Sequence, residues 1–101
     1  MRGGDAVPKI YQLYQNFPNP FNPATTISFA LPHPAQVSLV VYNARGQMVG
    51  TLVSDVLEAG EYSYNWSADH LPSGVYIYRL KSESLTGGHA FVATKSLLLM
   101  K

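Results

Sequence analysis

Apolar and polar residues alternate with a period of two along most of this chain, which is the pattern of half-buried β-strands. In the segment Thr25–Leu31, for example, Ile27, Phe29 and Leu31 share one face. Turn residues separate such segments, and helical periodicity is nearly absent. We therefore predict seven strands, at residues 10–14, 25–31, 36–43, 47–54, 60–66, 74–82 and 89–101.

Short connections between consecutive strands favour antiparallel pairing, because parallel pairs need long crossovers. An all-β, immunoglobulin-like antiparallel sandwich of about seven strands is the predicted fold, and a small closed barrel is the alternative. With 101 residues the chain is long enough for one domain. The polar, glycine-rich start predicts a linker or remnant at 1–8 and the domain at 9–101. In the central hairpin, Asn43-Ala44-Arg45-Gly46 predicts a type I turn with Gly46 in the left-handed region.

The segment Gln15–Pro23 is a second constraint, since it contains three prolines, three asparagines and two phenylalanines. Each proline fixes its own φ and restricts the residue before it, while asparagine closes local turns. Such a rigid, extended segment must be pinned against the rest of the domain, and Phe17 and Phe21 are the predicted anchors. It carries no catalytic group, which favours a structural or recognition role.

The composition excludes several functional classes. Absence of cysteine excludes disulfides and zinc–thiolate sites, and a net charge of +1 with scattered basic residues argues against nucleic-acid binding. The histidines His33, His70 and His89 fall at predicted turns, and the carboxylates show no metal-binding or catalytic spacing. We therefore expect no enzymatic activity, no metal and no cofactor.

Five aromatic residues alternate along two predicted strands: Tyr62, Tyr64, Trp66, Tyr76 and Tyr78. Planar aromatic side chains stack on sugar rings, so a carbohydrate-binding module is one hypothesis for this chain. A sandwich also needs an aromatic inner face, and the core interpretation is favoured.

The last predicted strand departs from the period of two. Leu97-Leu98-Leu99-Met100 is continuously apolar and is flanked by Lys95 and Lys101. Both faces of this strand are therefore apolar, so it is either covered on both sides or left open for a partner.

Four segments in order, 15–27, 41–49, 59–80 and 95–101, resemble the C-terminal sorting domains of type IX (Por) secretion substrates in Bacteroidetes and related phyla. The first contains Gln15–Pro23, the second Tyr42-Asn43-Ala44-Arg45-Gly46, and the third Leu71-Pro72-Ser73-Gly74-Val75-Tyr76. The fourth is the apolar terminus with its flanking lysines. Family members often carry a second basic residue where this chain has Ser96.

The resemblance implies an immunoglobulin-like, non-catalytic secretion signal at the C-terminus of a cargo protein. It implies that the parent crosses the periplasm and passes the outer-membrane type IX translocon to the cell surface or medium. A sortase-like peptidase then usually removes the domain, here by cleavage near or before Ala6. We expect a monomer without bound nucleic acid.

The resemblance also assigns roles to residues. The expected translocon-recognition residues are Lys95, Leu97, Leu98, Leu99, Met100 and Lys101. The expected structural motif residues are Pro18, Asn19, Pro20, Phe21, Asn22, Gly46, Gly74, Tyr76 and Tyr78. The terminal strand is expected to offer free backbone groups to a receptor strand. The alternatives are a carbohydrate-binding module and a structural spacer similar to the sandwich of flagellar hook-capping proteins.

Overall fold

A computed structural model describes residues 7–88 and 90–101, and these residues form two packed antiparallel β-sheets. The strands are β1 (Gln12–Leu13), β2 (Ala24–Leu31), β3 (Ala35–Asn43), β4 (Met48–Leu57), β5 (Gly60–Ser67), β6 (Gly74–Ser84) and β7 (Ala90–Leu99). Within these residues no helix is long and apolar enough to cross a membrane.

One sheet has three strands in the order β1-β2-β5, and the other has four in the order β4-β3-β6-β7. Every pair of neighbouring strands is antiparallel. Because β5 pairs with β2 in the first sheet, whereas β4 and β6 both pair with β3 in the second, the chain crosses between sheets, as in immunoglobulin-like folds. The predicted seven-stranded sandwich is confirmed, and two separate sheets replace the alternative of a closed barrel.

The core lies between the two sheets and follows the period of two. From the first sheet, Ile27 and Phe29 of β2 are fully buried, and from the second, Leu39 of β3 and Leu80 of β6 are fully buried. The half-buried aromatic residues of β5 pack against this cluster, and Phe29 stacks on Tyr62 and Tyr64. The core interpretation of the β5 aromatic stripe is supported by these contacts.

Strand bounds differ from the sequence expectation in β1 and in β4. The predicted strand 10–14 is reduced to the two residues of β1, because the chain turns at once into the proline segment. Strand β4 extends to Leu57, three residues beyond the predicted end, and two register shifts interrupt its pairing with β3. His89, expected to begin the last strand, lies outside the described residues.

The hairpin between β3 and β4 adopts the predicted turn. Gly46 has a φ of 86°, and its N–H donates to the carbonyl oxygen of Asn43 at 2.9 Å. The side-chain oxygen of Asn43 accepts from the backbone N–H groups of Arg45 and Gln47, both at 3.0 Å. The asparagine therefore holds the turn, and glycine supplies its left-handed residue.

We expect Gly46→Ala to lower the free energy of unfolding by about 1–2 kcal/mol, the cost of a left-handed backbone for an L-residue. No atom lies within 4 Å of an added Cβ, so steric overlap contributes nothing to the loss. Gly46→Asn is the matched control and should lose less, because asparagine tolerates this conformation. Urea denaturation measures both. Equal stability of Gly46→Ala and the wild type would contradict the turn assignment.

Candidate functional site

The four motif segments meet at one end of the sandwich, which we call the motif end. Phe21 is buried there, with its ring 5.9 Å from that of Trp66, and Trp66 lies 6.1 Å from the ring of Tyr76. Tyr76 in β6 pairs with Asn43 at the end of β3 and with Leu97 of β7. Residues distant in sequence therefore form one continuous end of the domain, beside the chain terminus.

The proline segment Gln15–Pro23, here called the proline clasp, is fixed by a buried hydroxyl. The Tyr78 hydroxyl donates to the carbonyl oxygen of Tyr14 at 2.7 Å and accepts from the N–H of Asn16 at 2.8 Å. The buried Asn16 amide in turn donates to Thr25 Oγ1 at 3.0 Å and to the Pro18 carbonyl oxygen at 3.1 Å. The Tyr78 hydroxyl and the Asn16 amide therefore both have hydrogen-bond partners. A buried polar group without a partner would lower the stability of the fold.

Burial raises the pKa of the Tyr78 hydroxyl to about 12, although the hydrogen bond from the Asn16 backbone acts in the opposite direction. The phenol is therefore neutral at physiological pH and keeps its proton for the Tyr14 carbonyl. Ionisation of Tyr78 would remove the proton that its hydroxyl donates to the Tyr14 carbonyl oxygen.

The clasp then pairs with the outer edge of the terminal strand. The N–H of Phe21 donates to the Leu98 carbonyl oxygen at 2.9 Å, and the N–H of Met100 donates to the Phe21 carbonyl oxygen at 3.0 Å. Phe21 and Leu99 form a parallel bridge. Phe21 therefore acts as a one-residue strand beside the end of β7.

Two side chains of the clasp extend this pairing. The Leu98 N–H donates to Asn19 Oδ1 at 2.9 Å, and Gln15 Nε2 donates to the Ser96 carbonyl oxygen at 2.8 Å. The expectation of a free backbone edge along Leu97–Lys101 is therefore wrong for the folded domain, because the clasp already occupies that edge.

The two phenylalanines of the clasp have different environments. Phe21 is 2% exposed and serves as the predicted anchor, whereas Phe17 is 78% exposed. Phe17 pairs through its backbone with Thr26 of β2, with hydrogen bonds of 3.0 Å in both directions. The anchor role predicted for Phe17 is wrong, since its backbone rather than its ring makes the contact.

The apolar terminus divides into buried and accessible side chains. Leu97 and Leu99 are buried in the core, Leu98 is half-buried on the outer face, and Met100 is 54% exposed. Lys95, on the same side of β7 as Leu97, is half-buried. In the folded domain a partner can contact Leu98 and Met100 directly, but not the two core leucines.

The last residue is held by the loop that precedes β6. The Lys101 N–H donates to Ser73 Oγ at 3.0 Å, and its ammonium group donates to the Asp69 carbonyl oxygen. The Tyr76 hydroxyl donates to the Pro72 carbonyl oxygen at 2.6 Å, which fixes the same loop. The terminus is therefore attached to the third motif segment as well as to the clasp.

The remaining structural motif residues fall into two groups. Gly46 lies in the hairpin turn and Gly74 begins β6 opposite Leu99, while Tyr76 and Tyr78 are buried. Four further members lie in the clasp and are exposed: Pro18, Asn19, Pro20 and Asn22. Sequence reasoning gave no individual role to Gln15, Asn16, Thr25 or Ser73. Their only sequence signal was their position within or beside the motif segments.

Burial of Tyr76 and Tyr78 weighs against the carbohydrate-binding hypothesis, because a sugar cannot stack on rings that face the core. His33 and His70 are exposed, and within residues 7–88 and 90–101 no group of three or more potential metal ligands occurs.

We expect Tyr78→Phe to lower the free energy of unfolding at pH 8 by about 1–3 kcal/mol, because it removes the partner of the buried Asn16 N–H and of the partly buried Tyr14 carbonyl group. The wild type should lose this advantage as pH rises from about 10, where a free tyrosine ionises, toward the folded pKa of about 12. The difference between the two proteins should therefore be constant below pH 10 and shrink above it. Denaturation at a series of pH values measures it.

Burial also raises the pKa of Tyr62, followed in size by the effects of Tyr64 and Glu58. The pKa shift of Tyr62 affects the stability of the wild type and of Tyr78→Phe equally. It therefore cancels in the difference between their free energies of unfolding. A difference that did not depend on pH would contradict the role assigned to the Tyr78 hydroxyl.

We expect Asn19→Ala to accelerate hydrogen exchange at the Leu98 amide roughly fivefold, for a hydrogen bond worth about 1 kcal/mol. The Leu97 amide faces β6 and should keep its rate. Asn22→Ala is the matched control, because Asn22 is exposed and its side chain makes no hydrogen bond to a described residue. NMR-detected exchange measures both amides, and an unchanged Leu98 rate would show that Asn19 does not hold the strand.

Comparison with known proteins identifies the fold and the family of this chain. No curated protein matches the chain. Among solved structures, the chain is similar to CopC from Methylosinus trichosporium OB3b, with a TM-score of 0.56 and 14% sequence identity over 89% of this chain and 93% of that one. At this identity the likeness shows a shared sandwich fold alone.

The sequence profile of the family described as "Secretion system C-terminal sorting domain" matches residues 15–93. The match begins at Gln15, the first residue of the clasp, and ends before Lys95. It covers most of the chain, including the clasp, the hairpin and the β6 segment. The chain therefore belongs to the family of secretion system C-terminal sorting domains.

Proposed function

We propose that this domain is a non-catalytic address that directs its parent protein through the outer-membrane type IX translocon to the cell surface. Family membership supports a sorting role. The observation that carries the proposal is the convergence of all four motif segments at the motif end. An address read from a folded cargo must be displayed on a stable surface, and this arrangement provides one.

The accessible part of this address combines the terminus with its neighbours. Leu98 and Met100 lie on the outer face of β7, and Leu98 pairs with Val75, which is also exposed. Lys101 follows this apolar patch, whereas Lys95 is half-buried on the same side of β7 as Leu97. We assign direct contact with the translocon to Leu98, Met100 and Lys101, and assign to Leu97 and Leu99 the anchoring of that strand in the core.

The proposed partners are the type IX translocon, its sortase-like peptidase and the cargo domain that precedes this chain in the parent protein. The described chain begins with exposed residues at 7–10, apart from the half-buried Pro8. This accessible entry suits cleavage upstream of the sandwich, near or before Ala6, which lies outside the described residues. Transit is through the periplasm, and the product is surface-bound or released.

We expect Met100→Glu to reduce surface display of the parent protein, because it places a charge in the apolar patch without removing a core contact. Leu85→Glu is the matched control, since Leu85 is 55% exposed and Met100 is 54% exposed, but Leu85 lies in the β6–β7 turn. Protease accessibility on intact cells, with immunoblotting of the periplasm, measures the distribution. Thermal unfolding of the isolated domain checks that both variants fold.

A truncation lacking Leu97–Lys101 should be retained completely in the periplasm, since it removes both the patch and its core anchors. Normal surface display of this truncation would refute the proposed function. Equal loss of display in Met100→Glu and Leu85→Glu would instead indicate a general effect of added negative charge.

A further inference from the structure

The outer face of the three-stranded sheet carries an aromatic ring that the core does not use. Phe17 is 78% exposed, and its hydrogen bonds to Thr26 of β2 are made by the backbone. Thr26 faces outward, because its neighbours Thr25 and Ile27 are buried in the core. Phe17 therefore lies on the outer face, opposite Thr26. Backbone hydrogen bonds do not depend on the side chain, so the packing of the sandwich does not explain the ring.

A second aromatic ring lies on the same face. Leu13 of β1 is buried, so the alternation of the strand places the next residue, Tyr14, outward beside Ser28. The N–H of Tyr14 donates to the Ser28 carbonyl oxygen at 3.0 Å, and Tyr14 is 37% exposed. The partners of the two aromatic residues are two positions apart on β2. The two side chains therefore leave the backbone about 7 Å apart along the strand.

A ladder of polar side chains extends from these rings to the edge of β5. The Thr26 hydroxyl donates to Asn65 Oδ1 at 2.8 Å, and the hydroxyl oxygens of Ser28 and Ser63 lie 2.8 Å apart. Both pairs are direct neighbours in the register of β2 and β5. The amide hydrogens of Asn65 make no hydrogen bond to a described residue, and each hydroxyl keeps an unused acceptor. The ladder can therefore form hydrogen bonds with a bound molecule and keep its own.

This face is almost uncharged. Among the outward residues of β1, β2 and β5, Glu61 is the one charged side chain, and it pairs with Ala30 at the end of the sheet away from the motif end. The outer face of the other sheet differs, since Arg79, Lys81 and Glu83 are exposed there. Nucleic acids and anionic lipids attract proteins through basic residues. The composition of the first face therefore favours a neutral ligand.

We propose that this surface, which we call the stacking face, binds a neutral polysaccharide. It consists of two exposed rings and four polar side chains: Tyr14, Phe17, Thr26, Ser28, Ser63 and Asn65. A sugar ring has an apolar C–H face, which stacks on an aromatic ring, and hydroxyl groups at its edge, which form hydrogen bonds. The stacking face offers both kinds of contact side by side. The buried rings of Tyr76 and Tyr78 cannot make them.

This binding function goes beyond the sorting function proposed above. Leu98 of the proposed address lies on the outer face of the four-stranded sheet, whereas the stacking face belongs to the other sheet. A ligand on one surface therefore leaves the other accessible, and the two functions can be tested separately.

Retardation of the purified chain in native gels that contain a polysaccharide tests the proposal. The probes are four soluble neutral polymers, β-glucan, xylan, mannan and amylose, with polygalacturonate as the acidic comparison. We expect retardation by at least one neutral polymer and none by polygalacturonate. Phe17→Ala should weaken the affinity for that polymer about tenfold, the effect of losing about 1.4 kcal/mol of binding.

Two substitutions of Phe17 separate stacking from simple apolar contact. Phe17→Tyr keeps a planar ring and should keep the affinity, whereas Phe17→Leu keeps apolar area alone and should lose affinity as Phe17→Ala does. Met48→Ala is the matched control, because Met48 is 63% exposed but lies in the other sheet, and it should bind like the wild type. Thermal unfolding checks that each variant folds. If the Phe17 variants fail to fold, Asn65→Ala decides the matter, since it should weaken the same affinity severalfold.

The outcomes that would overturn the proposal are distinct. Absence of retardation by all four neutral polymers would do so, as would equal affinities of Phe17→Ala and the wild type or equal retardation by polygalacturonate. Sedimentation of the wild type as a dimer, lost in Phe17→Ala, would assign the rings to a second copy instead. Loss of surface display in Phe17→Ala with unchanged retardation would assign them to the secretion machinery. Met100→Glu should keep the polysaccharide and lose display, so that either function can fail alone.

Discussion

The hydroxyl of Tyr78 is the contact on which the arrangement of the motif end depends. It joins β6 to the first residues of the clasp, 62 positions earlier in the chain at Asn16, and it does so inside the core. The side-chain amide of Asn16 then donates to the Pro18 carbonyl oxygen and to Thr25 Oγ1. These two hydrogen bonds define the path of the clasp from Asn16 toward β7. A buried polar network of this kind specifies one geometry, because any other leaves donors unpaired.

The clasp joins the first residues of the domain to the last strand, so that both contribute to one surface. Gln15 reaches Ser96 across 81 positions in the sequence, and Phe21 pairs with the backbone on either side of Leu99. The terminal strand can hold this position only after the core has closed, since these contacts are non-local. The surface that we propose as the sorting address therefore exists only in the folded domain.

Two different segments lie beside the terminal strand. From Ser96 onward the clasp bonds to its backbone. Upstream of Ser96, β1 contacts β7, and the ring of Tyr11 stacks on that of Phe91 at 5.2 Å. Exposed edges favour aggregation, and Lys95 lies where a charge opposes it. For the recognition that we propose, the accessible groups of this strand are the side chains of Leu98 and Met100.

Alternation, turn chemistry and motif order are local properties of a chain, so the sandwich, the hairpin turn and the family could be predicted from the sequence alone. The sequence also predicted the burial of Phe21. It could not distinguish Phe21 from Phe17, nor the buried Leu97 from the exposed Met100, because similar residues in one segment differ only in what the fold brings against them. How the edge of β7 is covered became apparent only in the folded domain, because it depends on long-range hydrogen bonds from the clasp, a segment about 80 positions earlier in the sequence.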